Sequence, residues 1–442
     1  SKDLKILAYE AEFLQNSGAA ADLSPAIAER TLFHATNSYY VPNVTTKVLS
    51  CKTNLPPNTA FRGFGGPQGM FVIESAIAKA ASEIGVSSKA IQEANLLDEN
   101  DTFSYGQIAK LVEAKNSWNS AKSLFNSEGL EREIETFNQN NSNFKKGIAF
   151  MPICFGISFT NTPMNHARAL VHIYLDGSVG ISTAAVEMGQ GVNTKMMQIA
   201  AQVFSIPIEK IKIETTNTTR VANTSPSAAS STADLNGKAT LMACNSLLER
   251  LKKVASEDLN VSENEISLQD EFVYINAKKS ELSWTELISK TMLKRVALTE
   301  NAHYATPEIH FDKTKEKGHP FAYHVYGTAI TTVTVDCTRG TYEFDSVKIV
   351  HDYGKSMSEG IDLGQVEGAL IQGIGWMTLE EIAYNDDGKL LSNALSTYKV
   401  PDLFSVPKVV ETVPLETKGH DLAILKSKAV GEPPLMYGIG AY

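Results

Sequence analysis

The amino-acid sequence predicts an α+β fold with two subdomains, on the basis of three observations. Segments with helical spacing of apolar residues mix with paired runs of β-forming residues, without strict βαβ order. A polar stretch, "NQNNSNFKKG" (138–147), reads as a linker between a helix-rich first part and a second part that contains hairpin patterns. Apolar content of 43% and charged content of 20% are typical of a globular protein. We therefore expect subdomains at 1–145 and 146–442.

The first part is predicted to contain one strand and several helices. Residues 4–14 alternate loosely and predict a strand. A serine at a plausible N-cap and the spacing of apolar residues predict a short helix in "LSPAIAERTLFHATNSYY" (23–40). "CKTNLPPNTAFRGFGGPQG" (51–69) is rich in Pro, Asn and Gly and predicts a loop, followed by a helix over 69–85. Residues 105–146 are polar but helical in pattern.

The second part is predicted to combine hairpins with longer helices. An Asp-Gly turn in "ARALVHIYLDGSVGISTAAVEMG" (167–189) predicts a hairpin. Helices are expected over 193–204 and 233–255, and a mostly apolar one over 362–382. Residues 326–354 predict a second hairpin.

Charge and cysteine usage narrow the class of partner. The net charge of −10 and the absence of a basic stripe argue against nucleic-acid or anionic-membrane binding. No apolar run approaches the ~20 residues that cross a bilayer. Four widely spaced cysteines suggest a reducing, cytoplasmic setting. Because the chain starts without methionine and stops at "GIGAY", we expect a piece of a longer polypeptide or of a multi-chain assembly.

Familiar catalytic motifs are missing from the sequence. The nine histidines form no H-x-H or H-E-x-x-H pattern and the cysteines no C-x-x-C, which argues against a zinc or iron–sulfur site held by side chains of this chain. There is no G-x-S-x-G elbow, and "FRGFGG" lacks the ending of a P-loop.

One carboxylate has an unusual setting. Glu432 lies between Gly431 and Pro433 in "SKAVGEPPLMYG", with apolar residues on both sides. Proline restricts the backbone of the residue before it, and an apolar setting favours a raised pKa and a general base. The alternative interpretation is an acid that caps a turn.

Loops of small residues point to a bound organic group. They supply approachable backbone amides, uncharged donors and a single arginine, Arg62, which suits a large polar cofactor with an anionic group. These loops span residues 61–69, 186–193, 225–237, 362–368 and 430–435.

Five motifs in this order resemble the molybdenum-cofactor portion of the xanthine dehydrogenase and aldehyde oxidase family. They are "NTAFRGFGGPQG", "EMGQG", "DLNG", "DLGQVEGA" and "KAVGEPPL", and the resemblance covers essentially the whole chain. It implies that 1–145 is the latter part of a first molybdopterin-binding subdomain and 146–442 a second, truncated one. It also implies a molybdenum–molybdopterin cofactor held without side-chain ligands. The [2Fe-2S] clusters and FAD are then expected in other domains or subunits of the same enzyme, and the whole assembly is expected to be a homodimer.

The resemblance gives individual residues expected roles. Glu432 falls on the base that deprotonates a molybdenum-bound hydroxide, while hydride passes to a sulfido ligand. Arg62 and Ala229 match positions close to the molybdenum. The remaining cofactor-contacting positions are Met188, Gly189, Gln190, Ser230, Ser231, Thr232 and Gln365.

The same resemblance implies a substrate pocket. Phe64 and Phe159 match two rings that sandwich a flat heterocycle, and Thr160 matches a substrate contact. Arg30 matches an arginine that faces a purine oxygen in the purine-oxidising members, so we expect oxidation of hypoxanthine and xanthine to urate. The alternatives are an aldehyde or other N-heterocycle hydroxylase of this family, and a cofactor-free structural or assembly subunit.

Overall fold

A computed structural model describes residues 1–441, and its helices and strands follow the mixed order of an α+β fold. Within that part of the chain lie nine α-helices: α1 (Ser24–Phe33), α2 (Gly66–Ile84), α3 (Ser88–Asn95), α4 (Ala114–Leu124), α5 (Ser127–Asn140), α6 (Val192–Phe204), α7 (Thr232–Leu259), α8 (Trp284–Leu293) and α9 (Glu359–Thr378). The predicted fold class is confirmed.

Fifteen strands are present in the same described range. They are β1 (Tyr9–Gly18), β2 (Val44–Lys52), β3 (Phe144–Ile157), β4 (His166–Ile173), β5 (Val179–Thr183), β6 (Ile211–Ile213), β7 (Ile266–Gln269), β8 (Phe272–Ile275), β9 (Lys278–Ser283), β10 (Thr299–Ala305), β11 (His310–Asp312), β12 (Lys317–His319), β13 (Tyr323–Asp336), β14 (Thr341–His351) and β15 (Val409–Pro414). Short 3-10 helices occur at Thr162–Met164, Ile208–Lys210, Glu263–Glu265, Ile424–Lys426 and Pro433–Ala441.

The chain forms two compact units. Unit 1 comprises residues 1–160, 309–420 and the described chain from 426 onwards, and unit 2 comprises 161–308 and 421–425. The predicted subdomain ranges 1–145 and 146–442 stay a prediction about the family's domains.

A four-stranded sheet with the order β15-β14-β13-β3 organises unit 1. β13 pairs antiparallel with β3 along its whole length, from Tyr323 opposite Ile157 to Asp336 opposite Phe144. The first ten residues of β13 and the last eight of β3 are buried, because helices cover the sheet, and this burial suits their β-branched and aromatic side chains. Trp118 of α4 packs against Phe150 of β3 in this core.

Helix α9 and the 3-10 helix Pro433–Ala441 approach each other closely in unit 1. A Cβ on Gly373 would lie 2.2 Å from the Leu435 carbonyl oxygen, and one on Gly438 would lie 2.2 Å from the Gly373 carbonyl carbon. Both positions therefore require glycine, and their contact fixes the segment that follows Glu432.

Unit 2 is built on the sheet β10-β4-β5-β6, with α6 and α7 packed together. The predicted hairpin over 167–189 is confirmed as β4 and β5, and its turn has Gly177 at φ +83°. Asp176 Oδ1 stabilises this turn by accepting hydrogen bonds from the Ser178 backbone N–H (2.9 Å) and hydroxyl (2.6 Å).

The predicted linker at 138–147 is wrong. This stretch contains the last turn of α5 and the start of β3, both of which lie in unit 1. The Asn138 side chain donates to the Lys146 carbonyl (2.9 Å) and accepts from the Lys146 N–H (2.7 Å), which ties the helix directly to the strand. The asparagine-rich composition of this stretch therefore reflects hydrogen bonds between the end of α5 and the start of β3.

No helix of the described chain has both the length and the apolar character needed to span a bilayer.

Candidate functional site

Arg62 joins three of the predicted motifs within unit 1. It lies in the loop before α2, and its Nε donates to the carbonyl of Gly431. Its Nη2 donates to the side-chain oxygen of Gln365 in α9 (3.0 Å) and to the Gln365 carbonyl (3.3 Å). One guanidinium therefore links segments that are more than 300 residues apart in sequence. Burial lowers the pKa of Arg62, and the negative charge of Glu432 opposes this effect.

Glu432 is half-buried at the start of the 3-10 helix Pro433–Ala441, and its carbonyl accepts from the Leu435 N–H (3.1 Å). Its charge acts on two guanidinium groups, because it favours the charged form of both Arg30 and Arg62. The carboxylate thus lies in a field that two cations shape.

The "FRGFGG" loop has a backbone that few sequences allow. Gly65 has φ +105°, and a Cβ there would lie 2.2 Å from the carbonyl oxygen of Ile27 in α1. Phe64 also lies in the left-handed region, with φ 51°. Phe64 and Phe159 are both half-buried, while Thr160 is buried; their roles towards a substrate stay predictions.

Arg30 is buried in α1, and its guanidinium contacts the end of β3. Its Nη1 donates to the Gly156 carbonyl (2.9 Å) and its Nη2 to the Ser158 carbonyl. The guanidinium carbon lies 5.0 Å from the centre of the Phe155 ring and 5.4 Å from that of Phe321. The Nε is buried without a hydrogen-bond partner. Burial lowers the pKa of Arg30, which the charge of Glu432 partly counteracts.

His34, which the sequence reasoning missed, completes this contact one helical turn after Arg30. Its Nε2 accepts from the Gly156 N–H (3.1 Å), so Nδ1 carries the proton and donates to the Arg30 carbonyl (3.0 Å). Burial and the neighbouring guanidinium lower the pKa of His34, which keeps the ring neutral. Arg30 of α1 and His34, the residue directly after the helix, thus fix the backbone that leads directly into Phe159 and Thr160. Their spacing of four residues was the visible clue.

In unit 2, two predicted cofactor loops meet. The Val186 N–H donates to the Ser227 hydroxyl oxygen (2.8 Å), which joins the "EMGQG" loop to the loop before α7. Ala229 and Ser230 have φ of 56° and 52° and lie directly before α7, which begins at Thr232 without a side-chain cap. Successive left-handed and right-handed residues at a helix start turn backbone N–H groups towards one side, as in anion-binding sites.

Glu187 is a second residue that the sequence reasoning missed. Its carboxylate accepts from the backbone N–H groups of Gly189 (2.9 Å), Gly191 (3.0 Å) and Asn193 (3.0 Å), at the start of α6. Partial burial acts to raise the pKa of Glu187, but these N–H groups together lower it. The acid therefore holds the loop by capping α6, and its position just before the glycines was the available clue.

Gln190 lies in the same loop and folds back on it. Its side-chain oxygen accepts from the Met188 N–H (2.5 Å), and its Nε2 donates to the Val186 carbonyl (2.7 Å). Met188 is 67% exposed and Gly189 has φ +97° with open space where a Cβ would lie. The predicted direct contact of Gln190 with a cofactor stays a prediction.

The donors in each unit fit the cofactor class that the sequence predicts. Unit 1 brings Arg62, Gln365 and the Gly431–Glu432 segment together, and unit 2 brings together the loops that contain Gly189 and Ser230. These groups are mostly amides, hydroxyls and one guanidinium, which suit a polar, phosphate-bearing organic group. Within residues 1–441, no three His, Cys, Asp or Glu side chains form a cluster suited to a metal ion.

Comparisons with known proteins agree with this donor set. Residues 1–96 match a family model described as a molybdopterin cofactor-binding domain, and residues 120–407 match a second model with the same description. The chain is 38% identical over 431 residues to xanthine dehydrogenase/oxidase of Felis catus, covering 98% of this chain and 31% of the relative. It is 39% identical over 443 residues to xanthine dehydrogenase of Oryza sativa subsp. japonica, covering 99% of this chain and 31% of the relative.

The fold is also similar to solved structures. Quinoline 2-oxidoreductase from Pseudomonas putida 86 superposes with a TM-score of 0.85 at 23% identity, covering 99% of this chain and 56% of that one. The chain spans about a third (31%) of the length of the two xanthine dehydrogenase relatives named above. The matched family models together cover most of the sequence, so this chain belongs to the family of molybdopterin cofactor-binding domains found in xanthine dehydrogenases and related oxidoreductases.

Proposed function

We propose that the intact protein is a molybdenum hydroxylase of the xanthine dehydrogenase type, which oxidises hypoxanthine and xanthine to urate with oxygen derived from water. The observation that carries the proposal is the junction at Arg62, which joins the backbone of Gly431, next to Glu432, to Gln365. The same three segments carry motifs of the resemblance. The 38% identity to a xanthine dehydrogenase/oxidase supports the choice of substrate class.

Within each unit, taken by itself, certain residues are proposed as cofactor-binding residues. In unit 1 these are Arg62 and Gln365. In unit 2 they are Met188, Gly189, Gln190, Ala229, Ser230, Ser231 and Thr232, where helix starts and left-handed residues present N–H groups. When bound, the molybdenum cofactor supplies the two-electron redox chemistry that side chains lack.

Glu432 is proposed as the general base. Its carboxylate accepts the proton of the attacking oxygen nucleophile, and its backbone is fixed by Arg62 on one side and by Pro433 on the other. A base must be held within hydrogen-bond reach of the proton it removes, and a clamped backbone serves that requirement.

The substrate pocket is proposed to contain Phe64, Phe159, Thr160 and Arg30. Two aromatic faces orient a flat heterocycle, and a buried cation stabilises negative charge that develops on its ring. The link from α1 to the end of β3 holds Phe159 and Thr160 in place.

A second candidate function is an aldehyde or other N-heterocycle hydroxylase of the same family. The hydrogen bonds of Arg30 to the carbonyls of Gly156 and Ser158 support it, because they give the guanidinium a structural role that needs no purine oxygen. In that case Arg30 supports the pocket wall and contacts no purine oxygen.

The whole protein is proposed to include iron–sulfur and FAD-bearing parts that remove the electrons, and to act as a homodimer in the cytoplasm. The chain accounts for 31% of the length of its relatives, which leaves room for such parts.

A substrate panel tests the proposed function. Purified full-length protein is assayed with xanthine, hypoxanthine, nicotinate and an aromatic aldehyde. We expect the largest kcat/KM for xanthine or hypoxanthine. Preference for the aldehyde or nicotinate would support the second candidate, and molybdenum-loaded protein without activity on any of the four would contradict both.

A further inference from the structure

The segment before Glu432 is paired with the residues just after β14 inside unit 1. The Lys428 N–H donates to the Tyr353 carbonyl (2.8 Å), and Ser427 forms an antiparallel bridge with Gly354. Gly354 has φ +60°, and a Cβ there would lie 2.3 Å from the carbonyl oxygen of Lys426. This pairing therefore depends on glycine, and it sets the direction in which the chain approaches Glu432.

The side chain of Lys428 is buried in an ion pair. Lys428 is 2% exposed and Asp352 is fully buried, and the lysine Nζ lies 2.5 Å from Asp352 Oδ2. The same Nζ donates to the carbonyl of His324 in β13 (3.1 Å). Burial lowers the pKa of His324 to about 3, so this neighbouring imidazole stays neutral and adds no second cation.

Asp352 is itself fixed by groups of unit 1. Its Oδ1 accepts from the Gly354 N–H (3.0 Å) and from the Thr417 hydroxyl (2.8 Å), while Oδ2 accepts from Lys428. A buried ion pair is weak evidence for stability, because desolvation offsets its attraction. The pair instead fixes the relative positions of its two side chains, because neither buried charge has an alternative partner.

The chain from Lys428 to Glu432 is thus held at both ends. At one end lies the ion pair, supported by the Ala429 N–H, which donates to the Tyr323 hydroxyl oxygen (3.1 Å). At the other end, Arg62 Nε donates to the carbonyl of Gly431. Only Ala429 and Val430 separate the two anchored residues, which leaves Glu432 little freedom of its own.

We propose that Lys428, through its buried ion pair with Asp352, is a positioning residue for Glu432. This inference rests on the proposed function, in which Glu432 is the general base. Lys428 acts through the backbone and contacts no substrate. A displacement of about 1 Å in a catalytic group costs up to roughly 100-fold in rate, so loss of the anchor has a measurable effect.

The test is the double variant Lys428→Met/Asp352→Asn in the full-length protein, which removes both charges and leaves neither one unpaired. Hydrogen exchange, read by mass spectrometry on the peptide that covers 426–432, is expected to become at least about 10-fold faster in this segment, while peptides from β13 are unchanged. We expect kcat to fall about 10- to 100-fold and KM to change less than about threefold.

A matched control is available in the same unit. Lys146 of β3 and Asp345 of β14 form an ion pair at 2.7 Å, and their side chains are 30% and 24% exposed. The double variant Lys146→Met/Asp345→Asn is expected to change neither exchange at 426–432 nor kcat. If the first variant does not fold, Thr417→Val removes one hydrogen bond to Asp352 without altering charge, and smaller changes in the same direction are expected.

Two outcomes would overturn the inference. One is unchanged exchange at 426–432 in the variant. The other is faster exchange with an unchanged kcat, in an enzyme that loses turnover when Glu432 is replaced by Gln. If instead Glu432→Gln keeps its turnover, the proposed function fails by a separate measurement, and the positioning role fails with it.

Discussion

Glu432 is a candidate general base because of the groups around it. Its charge supports the protonated forms of Arg30 and Arg62, and its backbone is fixed beside Gly431 by a hydrogen bond from Arg62. The sequence left two roles open for Glu432, a general base or an acid that caps a turn. The two roles differ in whether turnover of the substrate depends on the carboxylate.

The variant Glu432→Gln distinguishes a general base from a turn-capping acid. Gln keeps the size and polarity of the side chain but cannot accept a proton at the same position. We expect turnover to fall by at least about 100-fold with molybdenum content unchanged. Glu411→Gln, at a carboxylate of β15 in the same unit, is the control and is expected to leave turnover unchanged. Turnover that survives in Glu432→Gln would support the capping acid.

Arg30 presents the sharpest choice between two roles for one side chain. As a purine contact it stabilises the transition state, and as a clamp it holds the carbonyls of Gly156 and Ser158. For Arg30→Met we expect kcat/KM for xanthine to fall about 30- to 1000-fold, from a loss of roughly 2–4 kcal/mol, while that for an aromatic aldehyde changes little. An equal loss on both substrates would assign Arg30 to the clamp.

Among the elements of unit 1, a buried carboxylate joins α2 and α3 to neighbouring backbone. Glu74 accepts from the Asn37 amide (2.7 Å), the Tyr39 hydroxyl (2.7 Å) and the Gln92 amide (2.8 Å). Burial raises the pKa of Glu74 from 4.5 to about 7, although these hydrogen bonds act to lower it. Asn37 and Gln92 also donate to carbonyls of β3, so the network ties two helices to the central sheet.

The raised pKa of Glu74 predicts a stability that depends on pH. The native state keeps a proton that the unfolded state releases above pH 4.5, so this contribution is complete below that value and is lost as pH rises towards about 7. The contribution of Glu74 to the free energy of unfolding is expected to fall by about 1.4 kcal/mol per pH unit across this window. Denaturant unfolding of the wild type and of Glu74→Gln at several pH values measures it as the difference between the two slopes, because buried histidines such as His34 and His324 contribute equally to both proteins. Equal slopes in the two proteins would contradict the raised pKa of Glu74.

Local patterns predicted most helices, whereas long-range pairings were beyond the sequence. The predicted helix at 193–204 corresponds to α6, since apolar spacing and a preceding glycine are local features. The first strand begins at Tyr9 where residue 4 was expected, because its partner β2 sets the register. The pairing of β3 with β13 joins residues 166 (Tyr323 and Ile157) to 192 (Asp336 and Phe144) positions apart, and no local pattern encodes it.

The candidate site was predicted to a different extent from the fold. The resemblance supplied Arg62, Gln365 and Glu432, and the structure brings their segments together. Lys428 stood inside a quoted motif, yet its role depends on Asp352, 76 residues away, and on burial that the sequence does not display. Lys428 and His34 act through partners that are distant in sequence, which no local pattern reveals.

For the whole molecule, membership of this family implies a bound molybdopterin cofactor. The central claim is that the intact protein works as a molybdenum hydroxylase. The direct measurement is inductively coupled plasma analysis of purified, active full-length protein. The account predicts about one molybdenum atom per chain, lost together with activity when the cofactor is removed. Active protein that contains no molybdenum would contradict it.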